Sequence, residues 1–180
     1  MNPTLAFWLA QGISVIAGVL AVVMLQLKNI KLMLLFQVLI NLIGSTNYLL
    51  MDGGSGMVLS LVAIVHAIVM YFYNVRKKKP HLPVSIAFIL VYFACAIYNT
   101  VITCDFMEIL PAIAAFCFSM SLVQEKPSVF RIWILFNPIF WVTYDLYTES
   151  YVMFLVHSGI LISSFVGMIR IDGLFKKKAK

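Results

Sequence analysis

The sequence predicts an all-α integral membrane protein in which seven transmembrane helices form two three-helix bundles joined by a linker helix. Of its 180 residues, 63% are hydrophobic and only 11% are charged, and the mean hydropathy is +1.01. A chain of this composition has too few polar residues to cover a soluble globule. Its thirteen Lys and Arg residues fall in short clusters separated by long apolar stretches. Residues 1–180 are therefore expected to form one transmembrane domain.

Seven apolar stretches have the length of a membrane-spanning helix, because crossing the hydrocarbon takes about 20 apolar residues. On that scale the predicted helices are residues 5–25, 32–51, 57–75, 82–99, 106–123, 130–147 and 151–169. The first stretch has no basic residue before it and is too long for the core of a secretory signal, so we expect it to be retained. The connecting loops leave no room for a soluble domain.

The basic residues predict a single orientation of the chain. They form four clusters, within residues 28–31, 76–79, 126–131 and 170–180. Insertion into the bacterial inner membrane keeps short basic loops in the cytoplasm, which places the N-terminus outside and the C-terminus in the cytoplasm. The net charge of +6 then reflects topology and contact with anionic headgroups of the lipid bilayer. A nucleic-acid partner is excluded, since the charges do not line one exposed helix.

The chain also contains an internal repeat when it is shifted by 100 residues. This shift places Lys31 on Arg131 and Gln37 on Asn137. It predicts a 3+1+3 plan with a first bundle at residues 1–75, a linker helix at 82–99, a second bundle at 105–171 and a basic tail at 172–180. Because the linker helix reverses the chain direction, the two bundles are parallel repeats, an arrangement found in several transporter folds.

Polar residues recur at helical spacing inside two of the apolar stretches. Residues 37, 41 and 45 form one such stripe and residues 137, 141 and 145 form another. Polar groups at membrane depth usually face the bundle interior, and Asn41 and Trp141 lie about 15 Å from their basic anchors at 1.5 Å per residue. The candidate substrate-binding residues around a central cavity are Asn41, His66, Asn137, Trp141, Tyr144, Asp145 and His157.

Each of these assignments has a purely structural alternative. His66 and His157 could each donate one interhelical hydrogen bond and do nothing more. Asp145 could reach the outer headgroups, and Glu108 could be a solvated carboxylate at a helix start, favoured there by the helix dipole. The functional interpretation places Glu108, Pro111 and Pro138 in gating or ion coupling, with each proline as a kink or hinge.

The leading functional hypothesis is a facilitative transporter of a small polar metabolite of the sugar, vitamin or nucleoside class. One alternative is a receptor or scaffold that docks partners on its basic loops. The other, an intramembrane enzyme, is disfavoured because no HExxH, GxSxG or paired-carboxylate motif is present. No cofactor or metal is predicted, since the three cysteines show no ligand spacing. A homo-oligomer is an open alternative to a single copy.

Three short motifs resemble the YgjV family of bacterial inner-membrane proteins. They are Phe7-Trp8-Leu9-Ala10-Gln11-Gly12, Glu108-Ile109-Leu110-Pro111 and Trp141-Val142-Thr143-Tyr144-Asp145. The family implies no particular activity. The 3+1+3 plan is similar to that of SWEET, PQ-loop and PnuC transporters. PnuC-type proteins use a Trp followed four residues later by Asn in substrate binding, and here Trp141 and Asp145 keep that spacing with Asp in place of Asn.

Overall fold

The structure, a computed structural model, describes residues 3–50, 54–80, 82–104, 106–147 and 151–173. These residues form seven α-helices and one short 3-10 turn at Phe106–Glu108, and no strand is found among them. The helices are α1 (Pro3–Leu25), α2 (Ile30–Leu50), α3 (Gly54–Val75), α4 (Leu82–Thr103), α5 (Ile109–Leu122), α6 (Pro127–Tyr147) and α7 (Tyr151–Arg170). The predicted all-helical class and the seven predicted helices are confirmed. The tail 174–180 lies outside the described residues.

Five of the helices are long and apolar enough to cross a membrane, namely α1, α2, α3, α4 and α7. The helix α5 is apolar but has only 14 residues, because the tighter 3-10 turn takes the place of its predicted first turn. The helix α6 is the most polar of the seven, since it carries Arg131, Asn137 and Asp145. Length and composition alone therefore establish five candidate spans, and not the seven that were predicted.

The helices pack in a ring that follows the chain order. The helix α2 packs between α1 and α3, α6 packs between α5 and α7, and α7 returns to pack on α1. The helix α4 packs mainly on α5 and only lightly on α3. Short turns join consecutive packed helices, so neighbours run antiparallel. The pair that closes the ring, α1 and α7, runs parallel. The ring leaves space along its axis.

Four of the six ends of α1, α2 and α3 match those of α5, α6 and α7 at an offset of 97 residues. The helix α1 ends at Leu25 and α5 at Leu122, and α2 spans Ile30–Leu50 while α6 spans Pro127–Tyr147. The helix α3 begins at Gly54 and α7 at Tyr151. The offset predicted from sequence was 100. The two offsets differ by three residues, which is nearly one helical turn. A sequence of apolar helices therefore aligns with itself about equally well at both offsets.

Large apolar side chains close one end of the ring. Met24, Leu25, Met33, Leu34 and Phe130 are almost completely buried in a single cluster with parts of α3 and α5. These five lie where α1 ends and where α2 and α6 begin, next to the basic loops. We call this end of the bundle the basic end. It is packed as a protein core, whereas the middle of the ring is not.

Candidate functional site

All seven helices line one cavity of about 380 Å³. It extends from the middle of the ring toward the end opposite the basic end, because its lining includes Asn47 near the end of α2, Pro111 near the start of α5 and Met153 near the start of α7. Apolar residues supply much of the wall. The polar and aromatic lining residues are Ser14, Gln37, Asn41, Asn47, Ser60, Tyr92, Phe118, Asn137, Trp141, Tyr144 and His157.

Most of the sequence-predicted substrate-binding residues reach this cavity. Asn41, Asn137, Trp141, Tyr144 and His157 all line it. They come together because α6 packs on α7 and also contacts α2. The predicted helical spacing places these side chains on the helix faces that point toward the axis of the ring. Two predicted residues, Asp145 and His66, do not line the cavity.

The most specific arrangement at the cavity is a stack of Trp141 on His157 with Asp145 behind it. The two rings are nearly parallel, with centroids 5.4 Å apart and planes inclined by 14°. Nδ1 of His157 lies 2.7 Å from Oδ2 of Asp145, and Asp145 is only 4% exposed. With Nδ1 bonded to the carboxylate, Nε2 is the ring nitrogen that can meet a solute. Asp145 thus positions His157, and neither predicted location for it, the outer headgroups or the cavity mouth, is observed.

The positions that correspond to this stack in the first half of the chain are small. At the offset of 97 residues, Trp141 corresponds to Gly44 and His157 to Ser60, and both of these residues also line the cavity. A side chain added at Gly44 would meet only Ser60 Oγ, at 3.9 Å. One half of the cavity therefore offers an aromatic surface, and the corresponding part of the other half offers room and a hydroxyl group.

Two of the three lining asparagines are held by hydrogen bonds to backbone carbonyl oxygens. Nδ2 of Asn137 donates a hydrogen bond to the carbonyl oxygen of Ala114, 2.7 Å away, and so joins α6 to α5. Nδ2 of Asn41 donates to the carbonyl oxygen of Gln37 within α2, also at 2.7 Å. Each amide is thereby oriented before any solute binds, which lowers the entropy cost of binding.

His66 lies behind the cavity wall and not on it. Its imidazole ring is 0% exposed and stacks on Phe88 of α4, with centroids 4.0 Å apart and planes inclined by 6°. The side chain of His66 packs toward α4, whereas Ser60 and Ala63 of the same helix line the cavity. Neither ring nitrogen of His66 has a hydrogen-bond partner among the described residues. Of the two histidines predicted to share the cavity, only His157 lines it.

The predicted gating residues have different surroundings. Pro111 lines the cavity, but it is the third residue of α5, where a missing backbone N–H breaks no helical hydrogen bond. It therefore starts the helix and does not kink it. Pro138 lies inside α6 and is buried away from the cavity. The side chain of Glu108 lies outside what the structure describes.

Sequence reasoning missed a polar cluster at the basic end. Arg131 was treated as a topological anchor facing the cytoplasm, yet it is 1% exposed. Its guanidinium forms a two-pronged ion pair with Asp172, with Nε 2.8 Å from Oδ2 and Nη2 bonded to Oδ1. It also donates to the carbonyl oxygen of Leu27 at 2.7 Å. Asp172, predicted to belong to the basic tail, thus belongs to the bundle.

A second set of hydrogen bonds joins α7 to the end of α1 beside this ion pair. Nε2 of Gln26 donates to the carbonyl oxygen and to Oγ of Ser163, at 3.0 and 2.9 Å. Oγ of Ser163 in turn donates to the carbonyl oxygen of Val22 at 3.0 Å. We call Gln26, Arg131, Ser163 and Asp172 together the inner knot. Its hydrogen bonds and ion pair connect the basic ends of α1, α6 and α7.

The fold and the cavity define the class of the protein: a helical membrane protein whose bundle encloses a polar, aromatic-lined site. Within the described ranges, no group of three or more His, Cys, Asp or Glu side chains is placed to hold a metal ion.

The chain belongs to the YgjV family of bacterial inner-membrane proteins, since the family's sequence profile matches residues 8–174. The protein is accordingly located in the bacterial inner membrane. No curated protein and no solved structure shows a significant match to it.

Proposed function

We propose that the protein is a facilitative transporter that carries a small, neutral, polar metabolite through its central cavity. The observation that carries this proposal is the cavity of about 380 Å³, which every helix of the ring helps to line. A site of this size, with a few fixed polar groups on an otherwise apolar wall, is typical of small-molecule binding. A site that touches all the helices can also respond to any change in their packing.

The wall chemistry favours a neutral solute over an ion. The lining contains amides, hydroxyls and aromatic rings, and no Lys, Arg, Asp or Glu among the described residues. A solute with hydroxyl or amide groups could pair with Asn41 and Asn137 while a flat face packs on Trp141. Sugars, vitamins and nucleosides all meet this description.

The matched helix ends support the 3+1+3 plan proposed from sequence. Two triplets related by 97 residues, each with its middle helix packed between the other two, are expected of parallel repeats about an axis along the membrane normal. On this proposal α5 and α6 also cross the membrane, with the polar residues of α6 turned inward. The same plan is the basis for relating this chain to SWEET, PQ-loop and PnuC transporters.

The sidedness of the cavity supports a transport cycle. If the basic loops are cytoplasmic, the cavity extends toward the outside and the apolar cluster with the inner knot closes the cytoplasmic side. This is the outward-facing half of an alternating-access cycle. In the inward-facing half of the cycle, the inner knot must open. Its ion pair is buried, so removing one partner would leave the other as an unpaired buried charge and would destabilise the protein.

Flux into proteoliposomes tests this proposal. A metabolite library is first screened for compounds that raise the melting temperature of the purified protein, and those compounds are then tested for uptake. We expect Trp141→Ala and Asn41→Ala each to lower uptake about tenfold, the equivalent of one lost contact of about 1.4 kcal/mol. The control is Leu155→Ala, since Leu155 is on α7 and is 68% exposed on the outer surface of the bundle.

Two results would contradict the proposal. Compounds that bind but never cross the vesicle membrane would favour a receptor on the same fold. Uptake that is equally high in Trp141→Ala, Asn41→Ala and Leu155→Ala would mean that the cavity is not the route.

A further inference from the structure

A second hollow, of about 480 Å³, lies at the basic end between the start of α4 and the turn that joins α5 to α6. It is separate from the central cavity and shares no lining residue with it. Leu82 and Ile86 on its wall are exposed on the outside of the bundle, so the hollow opens toward lipid. We call it the α4 groove.

The α4 groove is present because α4 packs less extensively on its neighbours than the other helices of the ring do. It packs mainly on α5 and only lightly on α3, so its first two turns leave a gap on one side. Apolar side chains cover most of that gap. They are Leu82, Ile86 and Ile89 of α4 with Met120, Val123 and Val129 of the α5–α6 region.

Two lysines line the groove, one from the segment before α4 and one from the segment before α6. Lys79 precedes α4 and Lys126 precedes α6, and both line the groove and are exposed. Neither ammonium group forms an ion pair with another described residue. Glu125 also lines the groove and offsets one of the two charges, but the adjacent Arg76, Lys77 and Lys78 keep the region strongly positive.

The helix ends add to this positive potential. The helix α4 begins at Leu82, three residues after Lys79, and α6 begins at Pro127, directly after Lys126. The N-terminus of a helix carries about half a positive charge. The ammonium groups and these helix ends thus favour the binding of an anion in the groove.

We propose that the α4 groove binds an anionic phospholipid of the cytoplasmic leaflet. Its phosphate lies between Lys79 and Lys126, and one acyl chain lies along Leu82 and Ile86. The charge selects the headgroup, because a basic recess at the cytoplasmic face of a helical bundle attracts anionic lipid. The apolar wall selects a lipid over a free phosphate, which has nothing to bury there. The proposal does not depend on transport.

Binding of lipid to the purified full-length protein, followed by native mass spectrometry, tests this site. The probe is phosphatidylglycerol, compared with phosphatidylcholine and with glycerol 3-phosphate. We expect Lys79→Gln with Lys126→Gln to weaken phosphatidylglycerol binding about tenfold or more, because each lysine near a headgroup contributes about 1 kcal/mol. The matched control is Lys77→Gln with Lys78→Gln, which removes the same charge outside the groove and should leave binding within about twofold.

The apolar wall has its own test. Ile86→Ser should weaken phosphatidylglycerol binding and leave any binding of glycerol 3-phosphate unchanged. Equal loss of phosphatidylglycerol in both lysine pairs would overturn the proposal, since attraction would then depend only on total charge. Equal binding of phosphatidylcholine, or tighter binding of glycerol 3-phosphate than of the lipid, would overturn it as well.

Discussion

At the scale of single residues, Asp145 holds His157 in place at the cavity wall. The carboxylate is buried and lies 2.7 Å from Nδ1 of His157, so it restrains the ring that stacks on Trp141. A restrained polar group gives a binding site its geometry before the solute arrives. Asp145 is thus a positioning residue, one layer behind the cavity wall.

Replacing this carboxylate should loosen the stack without unfolding the protein. We expect Asp145→Asn to lower solute uptake about tenfold and to change the fluorescence of Trp141, measured in a background with Trp8 and Trp133 replaced by Phe. The control is Thr143→Ala, because Thr143 is exposed on the same helix and its hydroxyl donates to the carbonyl oxygen of Ile139 within that helix. Unchanged uptake and fluorescence in Asp145→Asn would show that the pair does not orient His157.

The residues that sequence could place are those governed by helical spacing. Asn41, Asn137 and Trp141 reach the cavity because spacing of three or four residues puts side chains on one helix face. The inner knot could not be predicted in this way. The burial of Arg131 depends on Asp172, which lies 41 positions further along the chain and reaches it only after α7 has packed on α1 and α6.

At the scale of helices, Gly167 allows α7 to lie against the end of α1. A Cβ at this position would be 2.8 Å from the carbonyl oxygen of Leu25 and 3.1 Å from Cδ of Arg131. Neither atom can move easily, since one belongs to the backbone and the other to a buried side chain. The close approach of these helices thus depends on the absence of a side chain.

A single methyl group should therefore separate the two helices. We expect Gly167→Ala to destabilise the protein by about 2 kcal/mol and to lower its melting temperature by about 6 °C. Gly12→Ala is the matched control, because a Cβ at Gly12 meets nothing within 4 Å and Ala is the better helix former. Equal melting temperatures for the two variants would mean that α1 and α7 are not so closely packed.

The order of the helices was predictable, but the direction in which His66 points was not. Apolar length alone identified seven helices, and each was found close to its predicted position. Counting from basic anchors gives a depth along the helix but not the neighbour toward which a side chain points, and His66 packs against Phe88 of α4. Four helix ends match at an offset of 97 residues, and a sequence of apolar residues does not distinguish that offset from the predicted 100.

At the scale of the whole molecule, one end of the bundle is sealed and the other holds the cavity. The seal has an apolar part, the cluster around Met24 and Met33, and a polar part, the inner knot. If this end were closed by apolar packing alone, the bundle would have no distinct open state there. In the proposed transport cycle, the Arg131–Asp172 ion pair forms in the closed state of this end and breaks in the open state.

Reagent access to the cavity from each side of the membrane tests this account most directly. Ser60, which lines the cavity, is replaced by Cys after the native Cys95, Cys104 and Cys117 have been replaced by Ser. A small, membrane-impermeant thiol reagent is then applied to right-side-out and inside-out vesicles. We predict labelling from the outside only, and added labelling from the cytoplasmic side when Asp172→Asn weakens the inner knot in a protein that still folds. Labelling from the cytoplasmic side at the same rate with and without Asp172→Asn would contradict a cavity gated at the basic end.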